Sequence, residues 1–103
     1  MTAYMIVRAV VPEADRAKFD QWYQDVHLPE ASAVFDAVNA RRGWSHVDPS
    51  VHLAFYEFPS LAEATAIGDS EAMKDMRADF DRNWQNRISR SREFVEIAQN
   101  IQA

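Results

Sequence analysis

The segment Val51-His52-Leu53-Ala54-Phe55-Tyr56-Glu57-Phe58-Pro59-Ser60-Leu61-Ala62-Glu63 sets a strand directly before a helix start. Val51, Leu53 and Phe55 alternate with His52, Ala54 and Tyr56, the period of two expected of branched and aromatic residues on a pleated surface. Ser60 and Glu63 then form a capping box, in which a Ser oxygen and a following Glu satisfy amides that a helix start leaves unpaired. The helix beginning there meets Gly68, and Asp69 or Ser70 can cap a restart. Met73, Met76, Phe80 and Trp84 mark an apolar face at helical spacing beyond it, which assigns the methionines to the core rather than to a cofactor. Ser89 to Ile101 alternates Val95, Ile97 and Ile101 with polar residues and reads as a last strand.

Toward the N-terminus, His46-Val47-Asp48-Pro49-Ser50 reads as a turn, so an extended stretch from Val38 to Trp44 pairs with Val51 to Phe58 as a hairpin. Residues Ala3 to Val11 form a further strand, with Ala3, Met5, Val7, Ala9 and Val11 on one face and Tyr4, Ile6, Arg8 and Val10 on the other. Pro12 ends it and suits a helix start, with Glu13 and Asp15 near the positive end of the dipole. Phe19, Trp22, Tyr23 and Val26 make the apolar stripe of a helix lying on a sheet. Pro29 disfavours helical geometry at Leu28, so this helix is expected to end or bend around His27, with a shorter helical piece from Pro29 to Phe35.

The resulting order, strand, helix, strand, strand, helix, strand, is that of an α+β, ferredoxin-like βαββαβ domain, with an antiparallel sheet and both helices on one face. The face carrying Tyr4, Ile6, Arg8 and Val10 is too apolar for open water and too polar for a dry core. The sheet of a second copy would cover it, which predicts a homodimer and an α+β barrel. All 103 residues are read as one domain.

Composition narrows the chemistry. With 48% hydrophobic residues, including 3 Trp, 3 Tyr and 6 Phe, the chain has enough apolar surface to fold without staples. The absence of cysteine excludes disulfides, thiolate metal sites and a Cys nucleophile. A net charge of −5 opposes nucleic-acid binding, which needs a basic surface. Arg82, Arg87, Arg90 and Arg92 are interleaved with Asp79, Asp81 and Glu93, the pattern of a solvated mixed-charge surface. Two glycines leave no Rossmann turn or phosphate loop, and no Gly-x-Ser-x-Gly elbow presents a serine nucleophile. Neither a signal-peptide pattern nor a membrane-length apolar run is present, so the expectation is a cytoplasmic protein without membrane contact.

The segment Phe19-Asp20-Gln21-Trp22-Tyr23-Gln24-Asp25-Val26-His27-Leu28-Pro29-Glu30 resembles the W-Y-x-x-x-H-[IL]-P-E signature of EthD-like and related members of the dimeric α+β barrel superfamily. Ala40-Arg41-Arg42 is similar to the second-strand segment of these proteins, and Tyr56 to Ala64 to their third strand and second helix start. The chain departs from them at Val34-Phe35-Asp36, where many have a Pro-Gly turn. The resemblance implies sheets paired into a barrel and a cleft between sheet and helices lined by the motif's His. It spans cofactor-free isomerases, cyclases and dehydratases, quinol-forming monooxygenases, haem-using members and proteins without assigned activity, and fold likeness does not choose among them.

His27 is the candidate acid or base, with Glu30 as partner if the chain turns at Pro29, and a helix end there would favour the imidazolium. The alternative is a structural His that caps the helix. Trp22, Tyr23 and Tyr56 are candidate walls of a ligand site, otherwise core. Arg8, Arg41 and Arg42 lie on strands, where an inward one would hold a carboxylate or enolate with planar paired donors, and Arg41 and Arg42 point opposite ways. His27, His46, His52 and Glu30 lack close ligand spacing, so no metal is expected, and no motif attaches haem. The expectation is a cofactor-free isomerase, cyclase or dehydratase acting on a small aromatic or acidic metabolite. A non-catalytic metabolite-binding or assembly protein is its rival, and a monooxygenase or haem-binding role comes after both.

Overall fold

Alternating apolar residues make Ala3–Val10 the strand β1 at the interior of a four-stranded sheet, bonded on both sides, in a computed structural model that describes residues 1–102. Strand β2 (Asn39–Trp44) and β3 (Val51–Phe58) form the expected hairpin, β4 (Ser89–Glu96) closes the far edge, and the spatial order is β2-β3-β1-β4, antiparallel throughout. The hairpin turn is held by Asp48, whose carboxylate accepts from the Ser50 amide at 3.0 Å and the Ser50 hydroxyl at 2.7 Å.

A short 3-10 turn, Glu13–Asp15, leads from β1 into α1 (Arg16–Trp22), which continues through a π turn at Tyr23–His27 into α2 (Leu28–Phe35). Asp36 ends α2 with φ 51° in the left-handed region, donating its amide to the Ala33 carbonyl while the Ala37 amide reaches Ser32. That is a Schellman end built on Asp rather than Gly, which Asp tolerates better than most residues. It answers the departure from the Pro-Gly pattern at Val34-Phe35-Asp36. Helix α3 (Leu61–Gly68) starts on Ser60, whose hydroxyl accepts from the Glu63 amide at 3.2 Å, and α4 (Glu71–Trp84) restarts on Ser70, which accepts from Met73 at 3.1 Å.

The fold is therefore α+β, ferredoxin-like. Ala3, Met5 and Ala9 of β1 face the helices together with Phe58, Tyr56, Ala54 and His52 of β3. One expectation changes at β4. Its helix-facing residues are Arg90, Arg92 and Phe94, register partners of Ala9, Val7 and Met5, whereas Val95 pairs with Tyr4 on the far face. The apolar alternation read from Val95 thus marks the face away from the helices.

Phe19 is the centre of the core, fully buried, with Tyr23, His52, Trp84, Trp44, Phe80 and Trp22 rings 5.1 to 6.3 Å away. Tilted and edge-on ring contacts of this kind add to simple area burial. Replacing Phe19 by Ala is expected to cost about 3 to 5 kcal/mol, read as a lower denaturation midpoint in urea at unchanged slope.

Candidate functional site

Pro29 has no amide hydrogen, and in a regular α-helix its ring would meet the carbonyl of Asp25. The chain does not stop there. The Leu28 amide donates to the Tyr23 carbonyl, one residue further back than in an α-helix, and the widened turn carries the helix past the proline. The expected break at His27 is thus a π bulge inside a continuous helix, and its inward side carries Tyr23 and His27, both buried.

These two residues open onto a cleft of about 420 Å³ between the sheet and α4. Tyr23, His27 and Phe80 form one wall, Met5, Val7 and Tyr56 the floor, and Met73 and Met76 a second wall. Arg77, Asp81, Arg90 and Arg92 stand among the polar lining. The His27 ring is stacked on Trp22 at 4.5 Å and 17°, and meets Tyr23 and Phe80 edge-on at 4.7 and 5.7 Å. Its Nδ1 is enclosed and makes no hydrogen bond among the described residues. A buried polar atom without a partner is uncommon and calls for a reason.

Burial dominates the electrostatics. It pushes the His27 pKa down to about 4, with Asp79 opposing and Arg90 assisting, so the ring is neutral at pH 7. The expectation that a helix end would favour the imidazolium is overturned, because His27 lies within the helix and out of water. Burial likewise raises Tyr23 to about 12 and Tyr56 well above its ordinary value, which leaves both phenols protonated hydrogen-bond donors. Arg90 lies 4.0 Å over the Phe80 ring and pairs with Asp81 at 2.8 Å.

The structure gathers His27, Tyr23 and Tyr56 on one cleft and places the other candidates elsewhere. Trp22 backs His27 from outside the lining. Glu30 is exposed and makes no hydrogen bond to His27, so the expected pair is not formed; Asp79 of α4 is the carboxylate whose charge acts on the ring. Arg8 and Arg41 are exposed on the sheet face away from the helices, Arg8 beside Ile6 and Leu53, and Arg41 against Asn39. Arg42 is the inward one of the pair, but Asp20 holds it at 2.7 Å beside the buried His52, and Asp20 also accepts from the Trp44 indole at 2.9 Å. Among the described residues no group of three His, Asp or Glu side chains is arranged to hold a metal ion.

Sequence reasoning missed the polar lining. Arg90 and Arg92, read as a solvated surface, share one strand face with Phe94 and point toward the helices. The signal was their common parity on a strand; likewise Asp79 follows Met76 at helical spacing and precedes Phe80.

The sequence matches no protein-family profile and no curated protein. By structure it is similar to an EthD family protein from Bacillus halodurans, with TM-score 0.72 and 14% identity over 94% of this chain and 99% of that one. The chain has a ferredoxin-like α+β fold in common with this protein. A NIPSNAP family protein from Agrobacterium tumefaciens follows at TM-score 0.71 and 9% identity, covering 93% and 92%. A cofactor-independent oxygenase from Streptomyces nogalater has TM-score 0.67 and 10% identity over 97% and 96%. No helix is long and apolar enough to cross a membrane among the described residues.

The buried histidines make stability depend on pH in a definite direction. His27 and His52 both fall to about 4 in the fold from an ordinary 6.5, so between these values the unfolded chain binds more protons. Their contribution is complete above pH 6.5 and lost as pH falls toward 4. Each is worth on the order of 3 kcal/mol at full shift. Unfolding free energy measured by denaturant titration should drop steeply from pH 6.5 to 4.5, and a His27→Gln, His52→Gln double variant should flatten that slope.

Proposed function

We propose that the chain binds a small aromatic or acidic metabolite in the His27 cleft and acts on it as a cofactor-free isomerase, cyclase or dehydratase. The observation that carries this reading is the neutral, buried imidazole in the wall of an apolar cleft, with one nitrogen unpartnered. A carbon–hydrogen bond beside a substrate carbonyl breaks, its electron pair moves into the carbonyl as an enolate, and His27 takes the proton. Returning that proton to another carbon gives isomerisation, and delivering it to a departing hydroxyl gives dehydration. The protonated Tyr23 and Tyr56 donate hydrogen bonds to the developing oxyanion. The low basicity of His27 in the empty cleft rises when the enolate forms next to it, because opposite charges in a dry site stabilise each other.

A purely binding role has one observation in its favour. No carboxylate is hydrogen-bonded to His27 to orient it, as the base of a catalytic constellation commonly requires. The two readings separate on compounds retained by the purified protein, identified by mass spectrometry and then followed by NMR in D2O. Exchange of a carbon-bound hydrogen, slowed about 100-fold in His27→Gln at little-changed melting temperature, is the catalytic result. Exchange undiminished in His27→Gln removes His27 as the proton carrier, and tight retention without exchange leaves a binding protein. Oxygen uptake on the same samples tests a monooxygenase reaction.

We further propose a homodimer formed through the sheet face opposite the helices. Ile6, Leu53, Phe55 and Val95 lie there among Arg8, Arg41 and Glu93, and Val10 and Val95 are exposed. Sedimentation at micromolar concentration should give a dimer that Ile6→Glu converts to monomer; a concentration-independent monomer of the unaltered chain rejects the assembly.

A further inference from the structure

At one side of the cleft two guanidinium groups share a single neutral acceptor. Arg77 of α4 donates to the Gly68 carbonyl at 3.3 Å, and Arg92 of β4 donates to the same oxygen at 3.2 Å. Neither has an ion-pair partner among the described residues, whereas Arg90 beside them is matched by Asp81. Like charges brought this close repel, and what they share is the C-terminal carbonyl of α3, a partial negative charge rather than a formal anion. Burial first and the neighbouring Arg77 second hold the Arg92 pKa below its ordinary value, with Asp69 opposing. The absence of a side chain at Gly68 keeps this place open: a Cβ there would stand 2.5 Å from the tip of the Phe94 ring, which would have to shift.

We propose that Arg77 and Arg92 form an anion subsite of the His27 cleft, and that the natural ligand is amphipathic, an aromatic or aliphatic body carrying a fixed carboxylate or comparable acid. The inference rests on the cleft being a binding site. Its apolar part, Met5, Val7, Tyr56, Met73 and Met76, takes the body of the molecule, and the two guanidiniums take the acid. An anion placed between them removes their mutual repulsion as well as gaining charge-assisted hydrogen bonds, so the pair favours charged ligands over neutral ligands of the same shape. Arg90 is not available for this task while Asp81 neutralises it. The subsite therefore selects and orients the ligand, and the proton chemistry belongs to the other end of the cleft.

The test uses 2-naphthoate and its neutral counterpart 2-naphthamide, titrated into the full chain by calorimetry. Naphthoate should bind at least about tenfold more tightly, the scale of one charge-assisted hydrogen bond, and added NaCl should narrow the gap. Arg77→Gln, at an exposed position where folding is not at risk, and Arg92→Gln should each weaken naphthoate by about tenfold and leave naphthamide unchanged. His27→Gln should preserve the preference. Equal binding of the two compounds, or a preference that survives both arginine substitutions, overturns the anion subsite and leaves the cleft reading intact. If neither compound binds, the cleft reading falls and this proposal with it.

Discussion

The missing amide hydrogen of Pro29 is the constraint from which the site is built. A helix that met this proline in α geometry would lose a hydrogen bond and collide with a carbonyl, and the π turn at Tyr23–His27 avoids both. A wider turn also changes which side chains face inward. Tyr23 and His27 come to lie one above the other, buried between Trp22 and Phe80, and the helix can go on to place Phe35 against Tyr56 at 5.4 Å. The same local irregularity thus keeps the helix long enough to cover the sheet and turns an imidazole toward the cleft beneath it.

That cleft exists because the core is lopsided. Phe19 gathers rings from both helical layers and from β2 and β3, so the β2–β3 side of the domain is dense. On the β1–β4 side the sheet presents Arg90 and Arg92 to the helices beside Phe94 and Met5, and charged heads cannot be packed dry against methionines. Space and polarity therefore arise together. The Asp20–Arg42 pair shows the contrasting solution: hydrogen bonds from Trp44 and then Arg42 hold the Asp20 carboxyl below its ordinary value, so this inward-facing guanidinium has its counter-charge in place.

Period, caps and turn residues were sufficient for the element order. β3 was delimited to the residue, and Ser60 and Ser70 cap their helices as their chemistry requires. The site was less legible, for physical reasons that differ from residue to residue. Pro29 announces a disturbance, but whether a helix ends or bulges depends on the tertiary packing that rewards continuation. Arg8 already shared a face with Tyr4 and Ile6, so its distance from His27 followed from parity alone, whereas the choice between Arg41 and Arg42 needed the register with β3. Arg90 and Arg92 were hidden by their neighbours in sequence: interleaved acids suggest a wet surface, yet Glu93 points to the other side of the strand, while Asp79 and Asp81 belong to α4 and face the same cleft region as the arginines. Burial of His27 to 8% of its free exposure, and the loss of its charge, depends on Phe80 arriving from far along the chain.

Each sheet residue belongs to one of two populations that never mix, since neighbours along a strand project to opposite sides. On β4, Arg90, Arg92 and Phe94 look toward the helices while Ser89, Ser91, Glu93 and Val95 look away, and β1 divides in the same manner. Exchanges of residue on one side leave the other side's chemistry untouched, so the helix-facing and outward faces of the sheet can drift along separate evolutionary lines. Insertion or deletion of a single residue within β1 or β4 enjoys no such freedom. It would swap the two populations at a stroke, on β4 putting serine and glutamate where the guanidiniums stand and turning the arginines outward into any neighbouring sheet. Descendants of this chain should accordingly vary freely in letters along these strands and hardly at all in their length.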